Sequence, residues 1–271
     1  MVPILVWIAW LVGLAYAADS VSLAAIAVAT AAIALLGLAD DMFSLPIGVR
    51  IVAQVLICSG WLGALVAMRV APLDPLLLAL ALLALLWLLN SYNFMDGIDG
   101  LATWEGIFVA AGLAWILGGG PIGHAALGLT AALAGFLPWN WPRARIFLGD
   151  VGSTAIGFGL GALALLGFWQ ASLAPALPVL LLAVFMVDAA ATLALRVWRR
   201  ERWYTPHRRH TYQVLVAGGK SHGEVVAIYM GVNLLLIVPA GWAAVHSVEI
   251  QAPTVIGVYL ILFIAWLLAR R

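Results

Sequence analysis

The fold is decided between Pro75 and Gly100. There Pro75-Leu-Leu-Leu-Ala-Leu-Ala-Leu-Leu-Ala-Leu-Leu-Trp-Leu-Leu89 runs directly into Asn90-Ser-Tyr-Asn93-Phe-Met-Asp96-Gly-Ile-Asp99-Gly100. The first half is an unbroken Leu and Ala run, with the composition of a membrane helix and none of the alternation of a barrel strand. The second half is a polar ladder with Asn90, Asn93, Asp96 and Asp99 three residues apart. On a helix end or tight turn that spacing keeps amides and carboxylates roughly on one face. Gly97 and Gly100 allow the backbone to approach a ligand closely.

The same juxtaposition recurs along the chain. Three more polar clusters interrupt apolar sequence: Ala39-Asp40-Asp41, Phe147-Leu-Gly149-Asp150-Val-Gly152-Ser153 and His207-Arg208-Arg209-His210. Two hydrophobic spans separate each consecutive pair. An even number of crossings returns the chain to the side it left, so all four clusters are expected on one membrane face, as a metal and phosphate site.

Composition supports a membrane reading. Of 271 residues, 65% are hydrophobic and 9% are charged, against roughly 25% charged in a soluble domain. The expected architecture is all-α: a single polytopic bundle over residues 1–271. Ten spans are expected, at 3–18, 21–39, 49–70, 74–89, 103–119, 122–139, 153–170, 173–195, 224–245 and 251–269. The first and fourth are short. The N-terminus lacks a basic region ahead of its apolar run and reads as a span rather than a cleaved signal. Cys58 sits in an apolar stretch, so no disulfide within the chain and no reactive thiol is expected.

Arginine and lysine set the orientation. Of the 13 basic residues, all but Arg69 follow even-numbered spans. Both termini and the four clusters are therefore expected in the cytoplasm. Trp7, Trp10, Trp61, Trp87, Trp115, Trp139 and Trp141 near span ends read as an interfacial belt. Nine of the 12 acids fall on or near the cytoplasmic side, an asymmetry that topology does not require.

The residue types point to chemistry. Asp40 and Asp41 repel each other unless a divalent cation or a basic loop relieves them; a solvated helix end is the plainer reading of the pair alone. Hard oxygen donors such as Asn93, Asp96 and Asp99 suit Mg²⁺, which takes one or two carboxylates and leaves other positions to water and phosphate. Amides opening the span after Gly149 favour an anion, and Asp150 there reads as a metal ligand or a helix cap. Phe147 is an apolar residue in a polar loop, either stacked on a base or anchored in the interface. The loop 196–223 is the longest and most basic, and its arginines suit a diphosphate. A zinc site at His207-x-x-His210 is weak, with no cysteine nearby. Asp188 alone lies deep in a span and must face the bundle interior, in a structural or supporting role. Gly157, Gly159 and Gly161 read as close helix packing.

These motifs together resemble the polyprenyl-phosphate N-acetylhexosamine-1-phosphate transferases, from about residue 3 to 245. The resemblance rests on Asp40-Asp41, on Asn90-x-x-Asn93-x-x-Asp96-Gly-x-Asp99-Gly-Leu101, on Asn140-x-x-Pro-x-x-x-Phe147-x-Gly-Asp150-x-Gly-Ser153, and on His207-Arg-Arg-His210-x-Tyr-Gln213. It implies a bacterial inner-membrane enzyme. A lipid phosphate, undecaprenyl phosphate, attacks the β-phosphate of a UDP-N-acetylhexosamine and releases UMP. It further implies Mg²⁺, with Mn²⁺ as a substitute, bound by Asp150 with help from Asn93 or the aspartate pair. Asp40 or Asp41 would contact or deprotonate the lipid phosphate, and Asp96 and Asp99 would position nucleotide or metal. Asn90 would contact substrate. Asn140 and Phe147 would hold the uridine, and His207, Arg208, Arg209 and His210 the diphosphate or sugar. Membrane lipid and a second copy of the chain are compatible partners; nucleic acid is not.

Two departures refine the expectation. Family members usually carry a further N-terminal span and loop ahead of the region that begins here, and beside the expected enzyme this leaves two alternatives, an inactive relative or a start codon further upstream. The peptidoglycan-precursor branch has a lysine soon after the aspartate pair and a run of three histidines; here Met42-Phe43-Ser44-Leu45 and His-Arg-Arg-His stand instead. Initiation of O-antigen, capsule or a related glycan is therefore expected over transfer of the muramyl-pentapeptide phosphate. A transporter would need polar residues deep in several spans, and no internal repeat of two halves is visible.

Overall fold

A computed structural model of the chain describes Trp10, residues 21–201 and residues 208–270. The architecture is all-helical, with no strand among the described residues. Six long helices come first: α1 (Val21–Phe43), α2 (Ile47–Ala67), α3 (Pro75–Met95), α4 (Leu101–Leu117), α5 (Pro121–Asn140) and α6 (Gly149–Gln170). Then follow α7 (Ala176–Leu181), α8 (Ala183–Trp198), a short α9 (Thr211–Ala217), α10 (His222–Val232), α11 (Val238–His246) and α12 (Gln251–Leu268). The π turn Asn233–Ile237 joins α10 to α11 into one rod. Among the described residues, seven helices are long and apolar enough to cross a membrane, and the protein is an integral membrane protein.

Nine of the ten expected spans coincide with these helices; the first, 3–18, lies outside the described residues apart from Trp10. Two differ in detail. The fourth is not short. α3 continues through Asn90 and Asn93 to Met95, because the helical hydrogen-bond ladder persists past the apolar run and Asn90 Nδ2 donates to the Leu86 carbonyl at 2.8 Å. Its start is fixed by Asp74, whose carboxylate accepts from the amides of Leu76 and Leu77 at 2.9 and 3.0 Å, with Pro75 in the first turn. The eighth span is split between α7 and α8.

The bundle is organised around α6. In its most apolar window 83% of residues are buried, against 17–39% in the other spanning helices. Every residue from Val151 to Leu163 is buried. A helix surrounded on all sides must let its neighbours come close, and glycine is what permits it. A Cβ on Gly157 would stand 2.6 Å from Leu89 Cα and 2.8 Å from the Leu88 carbonyl oxygen, both backbone atoms of α3. On the other flank Gly37 of α1 lies against the backbone of Asp150 and Val151. These two approaches draw α1 and α3 onto the start of α6.

Two expectations about depth change. Trp10 and Trp61 are buried rather than interfacial: the Trp10 indole donates to the Ala125 carbonyl at 3.0 Å, and Trp61 meets Phe158 edge-on at 5.6 Å. Asp188 is not alone in depth either. Glu105 on α4 is fully buried and accepts from Asn233 Nδ2 at 2.6 Å. That contact falls where the rod 222–246 widens to π geometry, as such turns often do around a polar demand.

If backbone contact at Gly157 holds α6 in place, Gly157→Ala should lower thermal stability in detergent by about 1–3 kcal/mol. Gly60→Ala, where an added Cβ meets nothing within 4 Å, should leave the melting midpoint of the purified protein unchanged.

Candidate functional site

Up-down connectivity gathers the polar clusters at one end of the bundle. α1, α3, α5, α8 and α12 finish there, and α2, α4, α6 and α10 begin there. A narrow crevice at this end is lined by Gly37, Asp40, Arg50, Asn90, Asn93 and Asp150, among others.

Each acid has a distinct local role. Asp41, near the end of α1, accepts from the backbone amides of Asp150 and Val151 at 3.0 and 3.1 Å. It therefore caps α6 from another helix, meeting the positive end of that helix's dipole. Asp40 points into the crevice. Its Oδ1 accepts from the Leu45 amide at 2.8 Å, and its Oδ2 pairs with the Arg50 guanidinium. The same Arg50 nitrogen lies 3.3 Å from Asp150 Oδ2. Asn93 lines the crevice beside Asp150, and its Nδ2 is 3.3 Å from Ser153 Oγ. One cation thus bridges carboxylates carried by α1 and α6. Arg50 read from sequence as a topology signal; only the fold shows that its helix starts opposite both acids.

The polar ladder divides between helix and turn. Asn90 and Asn93 sit on the last turns of α3, and Asn90 Nδ2 donates to Gln54 Oε1 at 3.0 Å. Asp96 caps the helix and Asp99 lies in the following turn. Burial pushes the Asp96 carboxyl well above the usual carboxylate range, and the negative charges of Asp150, Asp41 and Asp99 push it the same way. Asp99 is a joint between loops: its Oδ2 accepts from the Ala144 amide at 3.1 Å and lies 3.2 Å from His222 Nδ1 at the start of α10. His222 carried no recognisable signal in the sequence, since it stands outside any repeated spacing.

The residues expected to touch substrate separate into two groups. Phe147 is 71% exposed, and Arg208 and Arg209 are exposed, with Arg209 paired to Glu201. Asn140 instead is buried and committed internally. Its Oδ1 accepts from the Gly100 amide and Thr103 Oγ1 at 3.2 and 2.7 Å, and its Nδ2 donates to the Ile146 carbonyl at 3.0 Å. It shapes the loop that presents Phe147. His210 is also buried, stacked between Phe94 and Tyr212 at 6.2 and 5.9 Å. Burial lowers its imidazole below the ordinary histidine value, Asp188 opposes that shift, and Arg270 and Arg196 reinforce it. His207 lies outside the described residues.

Among the described residues no three His, Cys, Asp or Glu side chains are arranged to enclose a metal ion by themselves. The donor chemistry nonetheless fits Mg²⁺, which binds through one or two carboxylates plus water and phosphate. Asp150, Asn93 and Asp40 supply hard oxygens around one crevice, and the bridging guanidinium shows that two of the carboxylates stand where a cation is needed.

The chain is a membrane helix bundle with acids, amides and an arginine gathered at one end. Residues 23–168 match glycosyl transferase family 4, and the chain belongs to that family. It is 31% identical over 147 residues to the probable undecaprenyl-phosphate N-acetylglucosaminyl 1-phosphate transferase of Bacillus subtilis, covering 52% of this chain and 41% of that protein. It is 32% identical over 257 residues to the decaprenyl-phosphate N-acetylglucosaminephosphotransferase of Mycolicibacterium smegmatis, covering 80% and 62%. It is 33% identical over 189 residues to a phospho-N-acetylmuramoyl-pentapeptide-transferase of Synechococcus, covering 61% and 48%. The chain thus spans between 41% and 62% of the length of these three relatives.

The raised Asp96 carboxyl has a consequence for stability. With a folded pKa above the unfolded one, the folded state binds the extra proton, so stability is lost as pH rises through the interval between the two. Asp96→Asn should therefore raise the thermal midpoint at neutral pH in EDTA, and the gain should vanish at acid pH where the wild-type carboxyl is protonated.

Proposed function

We propose that the protein transfers an N-acetylhexosamine 1-phosphate from a UDP-sugar to undecaprenyl phosphate, giving a polyprenyl-diphospho-sugar and UMP. The observation that carries this reading is the meeting of Asp40, Asn93 and Asp150 around Arg50 at the end of an apolar bundle. A lipid phosphate can reach that point without leaving the membrane, and a nucleotide can reach it from water.

The chain's own residues divide the work. Asp150 and Asn93 would hold a divalent ion, with Asp40 within reach. The chemistry such an ion would supply is neutralisation of charge on the diphosphate and on the leaving UMP. Asp41 is occupied by two backbone amides, which leaves Asp40 as the carboxylate facing the acceptor. The acceptor needs little deprotonation, because the second ionisation of a phosphate monoester lies near about 6; Asp40 takes the remaining proton from the monoanion. Arg50 then turns from the two carboxylates to the diphosphate, for which a planar guanidinium is well matched. Asp99 and Asn140 hold the loop that presents Phe147 to the uracil, and exposed Arg208 and Arg209 face the sugar or phosphates. Phosphoryl transfer asks mainly for this positioning and charge neutralisation.

The absence of a lysine after the aspartate pair supports a UDP-N-acetylhexosamine that initiates a cell-envelope glycan such as O-antigen or capsule. The bundle end carrying the site faces the cytoplasm of the bacterial inner membrane, where UDP-sugars are made. The similarity to phospho-N-acetylmuramoyl-pentapeptide-transferases keeps the muramyl-pentapeptide nucleotide as the second substrate to test.

Purified protein given Mg²⁺, undecaprenyl phosphate and a panel of UDP-sugars should release UMP with one of them. Asp150→Ala should abolish release, by at least about a thousandfold. No release with any UDP-sugar or with the muramyl-pentapeptide nucleotide would sink the reading. A second variant examines the ion itself. Arg50→Gln leaves Asp40 and Asp150 without their shared cation, so it should melt earlier than wild type in EDTA. Millimolar Mg²⁺ should then raise its midpoint more than it raises that of wild type.

A further inference from the structure

Asp188 lies on α8 in the apolar interior and is 4% exposed. A carboxylate at that depth persists only with partners, and these come from a single neighbourhood. The Thr211 amide donates to both oxygens at 2.9 Å, and Thr211 Oγ1 donates at 2.9 Å. Tyr229 and Thr192 hydroxyls donate at 3.0 and 3.2 Å. Arg270 Nη2 stands 3.6 Å away. Arg270 also donates to the Arg209 carbonyl at 2.7 Å and to Thr211 Oγ1 at 3.0 Å, with its guanidinium 3.7 Å above the Trp266 ring. Residues 209–211 are thereby held from two sides at the backbone.

The hold continues toward the polar turn. Tyr212, next in sequence, donates its hydroxyl to the Phe94 carbonyl at 2.9 Å. That hydroxyl occupies the space a side chain at residue 97 would need, so Gly97 is what lets the two segments touch. Phe94 and Gly97 bracket Asp96, and Asp99 follows two residues later.

If burying Asp188 served stability alone, a well-packed apolar residue would serve as well or better, because a buried charge recovers its desolvation only through its partners. Here the backbone partner is the loop that carries Arg208 and Arg209. We propose that Asp188 is a positioning residue: it fixes residues 208–212 and, through Tyr212, the turn bearing Asp96 and Asp99. Its effect on turnover rests on the transferase reading above; its effect on the segment does not.

The test uses the full chain in detergent and two readouts. In hydrogen–deuterium exchange, the peptide containing Thr211 should exchange about tenfold faster or more in Asp188→Ala, and to an intermediate degree in Asp188→Asn, which keeps one acceptor oxygen. Tyr212→Phe should leave that peptide protected. In the UMP assay, Asp188→Asn and Tyr212→Phe should each raise KM for the UDP-sugar about tenfold, with kcat of the folded fraction changed less. Should Asp188→Ala fail to fold, Thr211→Val replaces it, with Thr211→Ser restoring both readouts. Unchanged exchange at Thr211, or activity that only follows the folded fraction at constant KM, overturns the proposal. Faster exchange in a wild-type background that turns over no nucleotide sugar upholds the anchoring and removes the transferase reading instead.

Discussion

Several carboxylates can share one end of a helix bundle only if positive charge is aimed at them. In this protein the charge comes from two sources of different kind. The first is the amide end of α6, fixed in the fold and capped by Asp41. The second is Arg50, a side chain able to rotate away, which lies between Asp40 and Asp150. Neither works unless α1 and α6 are in backbone contact, and Gly37 makes that contact. The chemistry of the crevice therefore depends on a residue with no side chain, one turn before the aspartate pair.

Much of this was legible in the chain itself. Unbroken apolar runs marked nine spans that coincide with helices, and counting crossings between polar clusters put them at a common end. That inference needs no three-dimensional information, because a membrane forces each span to change sides. What stayed hidden depended on rotation about helix axes. Arg50 and His222 lie at helix starts, where a basic or aromatic residue looks like ordinary topology. Only the packing angles of α2 and α10 turn them toward Asp150 and Asp99. Trp10 and Trp61 looked interfacial from their distance to span ends, yet helix rotation buries them.

At the candidate site, two residues expected to meet substrate have internal partners instead of open faces. Asn140 and His210 belong to motifs rich in polar residues, so both were expected to meet substrate. The structure commits Asn140 to three internal partners and buries His210 between two aromatic rings. Polar residues at a membrane surface have two tasks, touching ligands and satisfying the backbone of the loops that do so. Spacing alone does not separate them. Glu105 also serves the fold, fully buried and accepting from Asn233.

The π turn at Asn233–Ile237 has a geometric consequence. It accommodates an additional residue without breaking the rod, and each α-helical residue advances the side-chain direction by about 100°. Everything beyond the turn is therefore rotated relative to an uninterrupted helix. Before it, α10 presents Val225, Val226 and Tyr229 to the interior. After it, only Ala244 of α11 is buried, and Trp242 stacks on Trp115 at 5.5 Å. The rod thus turns a different side to its neighbours partway along its length: its first half follows the phase set by the buried acids, and its second half meets α4 through the aromatic pair.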